Sequence, residues 1–215
     1  MTGFFTTSII QSSSATTVMI VSFVNAGLLN LKQAIGVIMG ANIGTTVTAL
    51  IIVIFGFKFS ISSFALPLLM VAVPMFLFAK SERWKYLGEF IIGFSILFIG
   101  LGALKDLVPS DLSVETQEFI GRLGEYGFFS TVLMVLVGTI VTVVVQSSSA
   151  AMAITLTLCS KGIIPFEMAA AIVLGENIGT TVTANIAAVI GNTHAKRAAR
   201  AHLIFNLIGV LWMLI

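Results

Sequence analysis

Charged residues are scarce in this chain of 215 residues, and their scarcity excludes most classes of soluble protein. Only 9% of the residues are Asp, Glu, Lys or Arg, whereas a soluble domain carries about 25%. Hydrophobic residues make up 58% of the chain, and the mean hydropathy is +1.10. Because such a chain cannot cover a water-facing surface, the composition predicts an all-α membrane protein with several crossings.

The low net charge and the single cysteine exclude two further features. The formal net charge is only +2, and no basic cluster is interleaved with aromatic residues, so nucleic acid is not an expected partner. The only cysteine is Cys159, which excludes a disulfide within the chain and leaves the compartment open.

The most prominent feature of the sequence is a repeated polar motif. The pentapeptide Gln11-Ser-Ser-Ser-Ala15 recurs as Gln146-Ser-Ser-Ser-Ala150, 135 residues later. A second motif, Asn-Ile-Gly-Thr-Thr-Val-Thr-Ala, recurs at the same offset, at residues 42–49 and 177–184. Residues 11–51 align with 146–186 without a gap, with 17 identities in 41 positions. Since two unrelated polar kinks would not share one offset, the pattern indicates an internal duplication.

Each copy predicts a hairpin followed by an interrupted helix. Four consecutive polar side chains that end an apolar run have no water inside a bilayer, so they must face one another, a cavity or a ligand. We therefore expect Gln11–Ser14 and Gln146–Ser149 to form the tips of two re-entrant helical hairpins. The glycines and asparagine in Gly40–Gly44 and Gly175–Gly179 weaken a helix, and they predict two half-helices with an unwound middle.

The number of crossings between the hairpins predicts their relative orientation. The broken helix and the apolar segments 61–79 and 86–104 make three crossings, an odd number. The second repeat then enters from the opposite side, so the fold class is an all-α membrane protein with two inverted repeats, each a re-entrant hairpin followed by a broken transmembrane helix. If a basic loop at 196–200 is cytoplasmic, seven Lys and Arg lie inside and four outside, in agreement with the positive-inside rule. The predicted segments are repeat 1 at 1–57, connecting helices and an external loop at 58–127, repeat 2 at 128–190, and a basic loop with a C-terminal helix at 191–215.

The two motifs suit small ions. Serine hydroxyls, glutamine amides and helix N-termini donate hydrogen bonds to an anion, and the absence of Lys and Arg from both motifs suits a transiently bound one. Threonine hydroxyls offer a hard oxygen shell of the kind that Na⁺ takes. The candidate anion-binding residues are Gln11, Ser12, Ser13, Ser14, Gln146, Ser147, Ser148 and Ser149; the candidate hydroxyl ligands for Na⁺ are Thr45, Thr46, Thr48, Thr180, Thr181 and Thr183.

Three further residues could support these sites. Asn42 and Asn177 either ligate an ion or tie the helix break together. Glu176 replaces Ala41 of the first repeat, and an acid inside a membrane is a candidate functional residue by default. It could line the cation pathway or brace the opposite hairpin. The competing structural interpretation is that Ser and Thr only bond backbone and join helices; His194 and His202 are interpreted as interfacial.

The paired Gln-Ser-Ser-Ser and Asn-Ile-Gly-Thr-Thr motifs resemble those of the type II sodium/phosphate cotransporter family, in its bacterial form, over nearly the whole chain. The resemblance implies an elevator-like or rocking carrier that moves inorganic phosphate inward with Na⁺. It also implies that both Gln-Ser-Ser-Ser segments shape the phosphate site, and that Gln146, Ser147, Thr180 and Thr183 coordinate sodium. Relative to that family, the chain looks short at both ends.

The expected function is sodium-coupled symport of phosphate by a multi-pass protein of the cell inner (plasma) membrane. Hydroxyls and amides do not distinguish tetrahedral anions, so a carrier of sulfate or a carboxylate, or a passive anion channel, stays open. An intramembrane serine hydrolase would need a base beside one serine, and neither triplet has His or Lys nearby in sequence, so no enzyme is expected. The expected partners are phosphate, Na⁺ as coupling ion and the lipid bilayer, with a homodimer left open; no other metal or cofactor is expected.

Overall fold

The computed structural model describes residues 1–59, 61–109 and 113–214, and its elements in these ranges are helices with no strand. The prediction of an all-α protein is confirmed for them. Residues 60, 110–112 and 215, which belong to the predicted segments 58–127 and 191–215, lie outside the described residues. The elements are α1 (Thr2–Ile10), α2 (Ser13–Asn25), α3 (Leu31–Ile51), a π-helix (Ile52–Lys58), α4 (Ser62–Phe78), α5 (Glu82–Leu107), α6 (Val114–Glu125), α7 (Phe128–Val145), α8 (Ser148–Ser160), α9 (Phe166–Ala188) and α10 (Thr193–Met213).

Three helical stretches are long and apolar enough to cross a membrane: Leu31–Lys58, Glu82–Leu107 and Phe128–Val145. Their mean hydropathies are 2.1, 2.1 and 2.5. Large apolar side chains such as Ile9 and Ile190 are exposed on the surface, at 80% and 97%. A water-soluble surface would not carry such side chains in these numbers, so the chain is a membrane protein.

The chain divides into two compact units. The first comprises Met1–Leu50 and Leu112–Ile215, and the second comprises Ile51–Asp111. In the second, the rings of Phe55, Phe94 and Phe98 pack edge to face or tilted, with centroids 4.7 to 6.5 Å apart. The first unit holds both repeated motifs, so the candidate site lies within it.

The core of the first unit is built from small and β-branched residues. One apolar cluster joins α2, α3, α9 and α10, around Val21, Ile38, Ala184 and Ala198. A second cluster joins α7, α9 and α10, around Val135, Ile172 and Val210. Helix α9 packs against α2, α7, α8 and α10, so it is the central helix of this unit.

The prediction of broken helices is wrong. Helices α3 and α9 run without interruption through Gly40–Gly44 and Gly175–Gly179. The glycines instead let helices approach closely: a Cβ on Gly175 would lie 1.9 Å from the backbone oxygen of Val135. A motif that reads as a helix breaker in isolation is therefore a contact surface, as small residues are between membrane helices.

The same contacts occur in both halves, where the first half is α1–α3 and the second is α7–α9. A Cβ on Gly3 would lie 1.8 Å from Val37 O, and a Cβ on Gly138 would lie 2.0 Å from Ile172 O. Both residues of the second pair are 135 positions after those of the first. The offset seen in the sequence therefore extends to helix packing, α1 on α3 and α7 on α9.

The expected basic loop at 196–200 is also wrong, because α10 begins at Thr193 and includes it. The Asn192 side chain accepts a hydrogen bond from Ala195 N at 2.9 Å, which caps the helix. Ala195, Ala198 and Ala199 are fully buried against the first cluster. A run of alanines that pack on a core favours a helix, while the basic residues between them face outward.

Candidate functional site

Each Gln-Ser-Ser-Ser segment forms a tight turn between two helices. Gln11 ends α1 and Gln146 ends α7, both in the left-handed region with φ of 57° and 56°. They are the only residues other than glycine with positive φ in the described chain. The following serines, Ser12 and Ser147, are extended and cap α2 and α8, each accepting from a backbone N–H at 3.2 Å. The two turns therefore share one backbone geometry.

The two turns meet in space. Ser13 Oγ and Ser148 Oγ lie 3.2 Å apart within hydrogen-bonding distance, and both side chains are buried. Ser149 Oγ also donates to Gln11 O at 3.4 Å. The structure thus brings together residues that are 135 or more positions apart in the chain, as the duplicated motif predicts.

The meeting point lies at two helix N-termini. Helix α2 begins at Ser13 and α8 begins at Ser148, and neither first turn contains a charged residue. The free N–H groups of a first helical turn carry a partial positive charge and favour anions. Two N-termini converging on one buried point form an environment suited to a small anion.

Some polar side chains at the turns form no hydrogen bond within the described part of the protein. Gln11 Nε2 donates to Ser8 O at 2.6 Å and is tied to its own helix. The Ser14 hydroxyl and the exposed Gln146 amide make no hydrogen bond within the described part of the chain. These two groups can therefore donate to a ligand without losing a protein partner.

Two of the predicted sodium ligands, Gln146 and Ser147, lie in the second turn itself. The predicted threonine ligands lie on α3 and α9 and make no hydrogen bond with the turns in the described residues. Thr45 Oγ1 donates to Ala41 O at 3.3 Å and Thr180 Oγ1 donates to Glu176 O at 2.8 Å, each one turn back in its own helix. Their oxygens keep lone pairs for a cation. Thr48 is buried and Thr183 is half-buried; Thr46 and Thr181 likewise donate to their own helices.

Glu176 is buried, with 2% of its surface exposed. Its Oε1 accepts from Thr155 Oγ1 at 2.7 Å, while Oε2 has no hydrogen-bond partner among the residues that the structure describes. Because Thr155 lies in α8 of the same half, Glu176 joins α9 to its own hairpin and not to the opposite one, which corrects the bracing alternative. Its place in the cation pathway stays a prediction.

Asn42 joins α3 to α10. Its Nδ2 donates to Asn206 Oδ1 at 2.7 Å, and its Oδ1 lies 3.3 Å from His202 Nε2. His202 is 1% exposed, so its interpretation as an interfacial residue is wrong, whereas His194 is exposed. The side chain of Asn177, the counterpart of Asn42, has no hydrogen bond among the described residues. The two asparagines therefore differ in their hydrogen bonding, although each begins the same Asn-Ile-Gly-Thr-Thr-Val-Thr-Ala motif.

An open groove of about 610 Å³ separates α3 from α8 and is lined also by α9 and α10. Its polar lining comes from Asn42, Thr45, Thr46, Asn177 and Asn206, and the rest is apolar. Its described lining does not include the serine turns. The predicted anion residues and part of the predicted cation residues therefore lie in different surroundings.

Two threonines were missed by the sequence analysis. Thr7 and Thr142 are 1% and 2% exposed, and neither hydroxyl has a hydrogen-bond partner in the described part of the chain. They lie one turn before the two glutamines and pack beneath Gly44 and Gly179. The signal was available, because they also differ by 135 positions and extend the aligned repeat upstream.

Comparisons with known proteins test the family resemblance seen in the motifs. The family model described as Na⁺/Pi-cotransporter matches residues 1–106 and 120–215. An uncharacterized Bacillus subtilis protein, YqeW, is 33% identical over 209 residues, covering 97% of this chain and 65% of its own length. The Salmonella typhimurium protein YjbB, provisionally named for inorganic phosphate export, is 31% identical over 214 residues, covering 99% of this chain and 38% of its own. The mouse sodium-dependent phosphate transport protein 2C is 40% identical over 95 residues, covering 42% of this chain and 16% of its own.

This chain spans less than two thirds of the length of each of these relatives. No solved structure matches it. The family model covers both repeated motifs and most of the residues between them, so the resemblance seen in the motifs is confirmed. The chain belongs to the Na⁺/Pi-cotransporter family.

Proposed function

We propose that this protein carries inorganic phosphate across a membrane together with Na⁺, and that phosphate binds where the two serine turns meet. The observation that carries the proposal is the 3.2 Å contact between Ser13 Oγ and Ser148 Oγ. That contact places the N-termini of α2 and α8 at one buried point. The family match and the names of the relatives support phosphate as the anion.

Phosphate presents acceptors only, and the turns offer donors. Ser14 and Gln146 have unengaged donors, and the Ser13 and Ser148 hydroxyls can turn from one another toward a ligand. A hydrogen bond to a charged group contributes about 1.5–3 kcal/mol. Several such bonds hold an anion without a Lys or Arg partner, and a site without an ion pair releases its ligand more readily.

Sodium would balance the charge of the anion. Placing an anion alone in a medium of low dielectric constant is costly, and a cation bound within a few ångströms offsets that cost. The proposed ligands are Gln146, Ser147, Thr180 and Thr183, with Thr45 and Thr48 as their counterparts in the first half. Because α3 and α9 are continuous, side-chain oxygens and not unwound backbone carbonyls would supply the coordination.

The proposed architecture is a pair of inverted repeats with re-entrant hairpins, in a protein of the cell inner membrane. The matching contacts of α1 with α3 and α7 with α9, offset by 135 residues, support the repeat. Helices α2 and α8 have 13 residues each, about 20 Å at 1.5 Å per residue, which is short for a full crossing and suits a dipping hairpin.

The test is uptake of radiolabelled phosphate into proteoliposomes that contain the purified chain. Uptake should saturate with phosphate, depend on an inward Na⁺ gradient, and fall to the level of empty liposomes when choline replaces Na⁺. Non-saturating flux would favour a passive channel, and uptake that ignores Na⁺ would overturn the coupling. Competition by sulfate equal to that by unlabelled phosphate would assign the carrier to oxyanions in general.

The turns themselves are tested by Ser148→Ala. This change removes one donor from the meeting point, so the apparent KM for phosphate should rise about tenfold or more, from the 1.5–3 kcal/mol of a charge-assisted hydrogen bond. The matched control is Ser160→Ala at the other end of α8, where the hydroxyl donates to Thr157 O at 2.9 Å. Equal KM values for the two variants would show that the turns are only structural.

Outward transport is a second candidate, favoured by the name of the Salmonella relative. A carrier itself sets no direction, because the gradients of its ligands do so. Proteoliposomes loaded with labelled phosphate and Na⁺, with choline outside, measure this directly. Efflux under these conditions without uptake under the opposite gradient would assign export.

A further inference from the structure

The two halves differ at one buried pair of residues. In the first half, Ile20 on α2 and Ala41 on α3 are both buried, at 5% and 0% exposed. Adding 135 to each number gives Thr155 on α8 and Glu176 on α9, at 3% and 2% exposed. An apolar pair in one half thus corresponds to a hydroxyl and a carboxylic acid in the other.

The two polar side chains of the second half, Thr155 and Glu176, contact each other. Thr155 Oγ1 donates to Glu176 Oε1 at 2.7 Å, so the hydroxyl fixes the orientation of the carboxyl group. The other oxygen, Oε2, is buried and has no partner. An unpaired acceptor in this position has a large desolvation cost, which the protein would recover by binding something at that atom.

No cationic side chain neutralises this group. The ion pairs in the described part of the chain are Lys85 with Glu82 and Arg122 with Glu118, and their side chains are all exposed. A buried carboxylate without a cation is strongly destabilising. A bound cation at Oε2 would neutralise the carboxylate and also satisfy its unpaired oxygen, whereas a proton is the competing way to neutralise it.

We propose that Glu176 holds one Na⁺ through Oε2, at a site that the second half has and the first half lacks. The proposal deepens the sodium coupling proposed above and rests on it. A single carboxylate among hydroxyls is a hard ligand of low charge, which fits a monovalent cation. No group of three or more His, Cys, Asp or Glu that could hold another metal occurs in the described residues.

The site adjoins the predicted sodium ligands without repeating them. Thr180 lies one turn after Glu176 and donates to its backbone oxygen at 2.8 Å. An ion at Oε2 would therefore lie beside the helix surface from which Thr180 and Thr183 project. In the first half the side chains of Ile20 and Ala41 carry no oxygen, so a matching ion is not expected there, and the two repeats bind unequal numbers of cations.

The experiment measures Na⁺ binding without phosphate, so that it does not depend on transport. The thermal unfolding midpoint of the purified chain is followed as NaCl replaces choline chloride at constant ionic strength and constant pH. A ligand that binds only the folded state raises that midpoint with concentration. We expect a saturable rise for the wild type and none for Glu176→Gln.

Two further variants accompany Glu176→Gln, one as a control for the lost charge and one as a second test of the site. Glu167→Gln removes the same charge from the exposed first turn of α9 and should keep the full Na⁺-dependent rise. Thr155→Val keeps the shape of the side chain but removes the hydrogen bond that orients the Glu176 carboxyl group. Half-saturation should therefore need several-fold more Na⁺. If Glu176→Gln does not fold, Thr155→Val alone carries the test.

Three outcomes would overturn the proposal: an equal Na⁺-dependent rise in Glu176→Gln, an unchanged half-saturation in Thr155→Val, or a wild-type midpoint that responds to pH but not to Na⁺. The last would assign a proton to the carboxyl group in place of sodium. Loss of phosphate uptake with an intact Na⁺-dependent rise would refute only the proposed transport.

Discussion

Replacing Gly138 by alanine should force α7 and α9 apart. The added Cβ would lie 2.0 Å from the backbone oxygen of Ile172, whereas ordinary contact begins at 3.4 Å. The helices must therefore separate by about 1.4 Å, unless the backbone bends. Neither atom is the end of a flexible side chain, so no rotamer change can relieve the overlap.

The loss of folding free energy in Gly138→Ala follows from the cost of overpacking a core. Extra atoms in a packed core usually cost about 1–3 kcal/mol, and a backbone-to-backbone overlap belongs at the upper end. Alanine in place of glycine in a helix interior gains up to about 1 kcal/mol, which offsets only part of this loss. For a chain of this size, a net loss of about 2 kcal/mol lowers the thermal unfolding midpoint by about 4–8 °C.

The assay is thermal unfolding of the purified protein in detergent, with Gly100→Ala as the control. Gly100 lies inside α5 with nothing within 4 Å of its added Cβ, so this change should be neutral or stabilising. Gly3→Ala, the counterpart of Gly138→Ala, should also destabilise, since its Cβ would lie 1.8 Å from Val37 O. Equal midpoints for Gly138→Ala and wild type would refute the close packing of α7 on α9.

Three other changes test single contacts. Thr142→Val replaces a buried hydroxyl that has no partner by a methyl group, so thermal unfolding should show a gain of about 1 kcal/mol; a loss would mean that the hydroxyl is used. Asn206→Leu removes the acceptor of Asn42 Nδ2 and leaves a part-buried donor unpaired, so the same assay should show a loss of about 1–3 kcal/mol. Asn25→Ala removes the acceptor of Asn192 N at 2.7 Å, an exposed contact, and should cost no more than about 1 kcal/mol in that assay; a larger loss would show that this contact anchors the first hairpin to α10.

The positions of the turns could be predicted, but their geometry could not. Polar runs at the ends of apolar segments placed them at Gln11–Ser14 and Gln146–Ser149, and helices α1, α2, α7 and α8 end or begin there. A glutamine in the left-handed region is uncommon, since that conformation favours Gly or Asn. Nothing in the local sequence identifies it.

Glycine and histidine show where a sequence interpretation fails. Gly40–Gly44 was interpreted as an unwound segment because isolated glycine weakens a helix, but a facing helix supplies contacts that outweigh that weakness. His202 was placed at the interface because it flanks the basic segment 196–200. Only the packing of α10 on α3 shows that its ring is buried beside Asn42.

The sequence by itself determined the membrane class, the helical composition and the duplication at an offset of 135, because hydropathy and repetition are properties of the order of residues. The tertiary structure decided which groups meet: Ser13 with Ser148, Thr155 with Glu176, and Asn42 with Asn206. Pairs of residues far apart in the chain are set by how helices pack. Packing depends on the shapes of whole surfaces, which no single segment of the sequence contains.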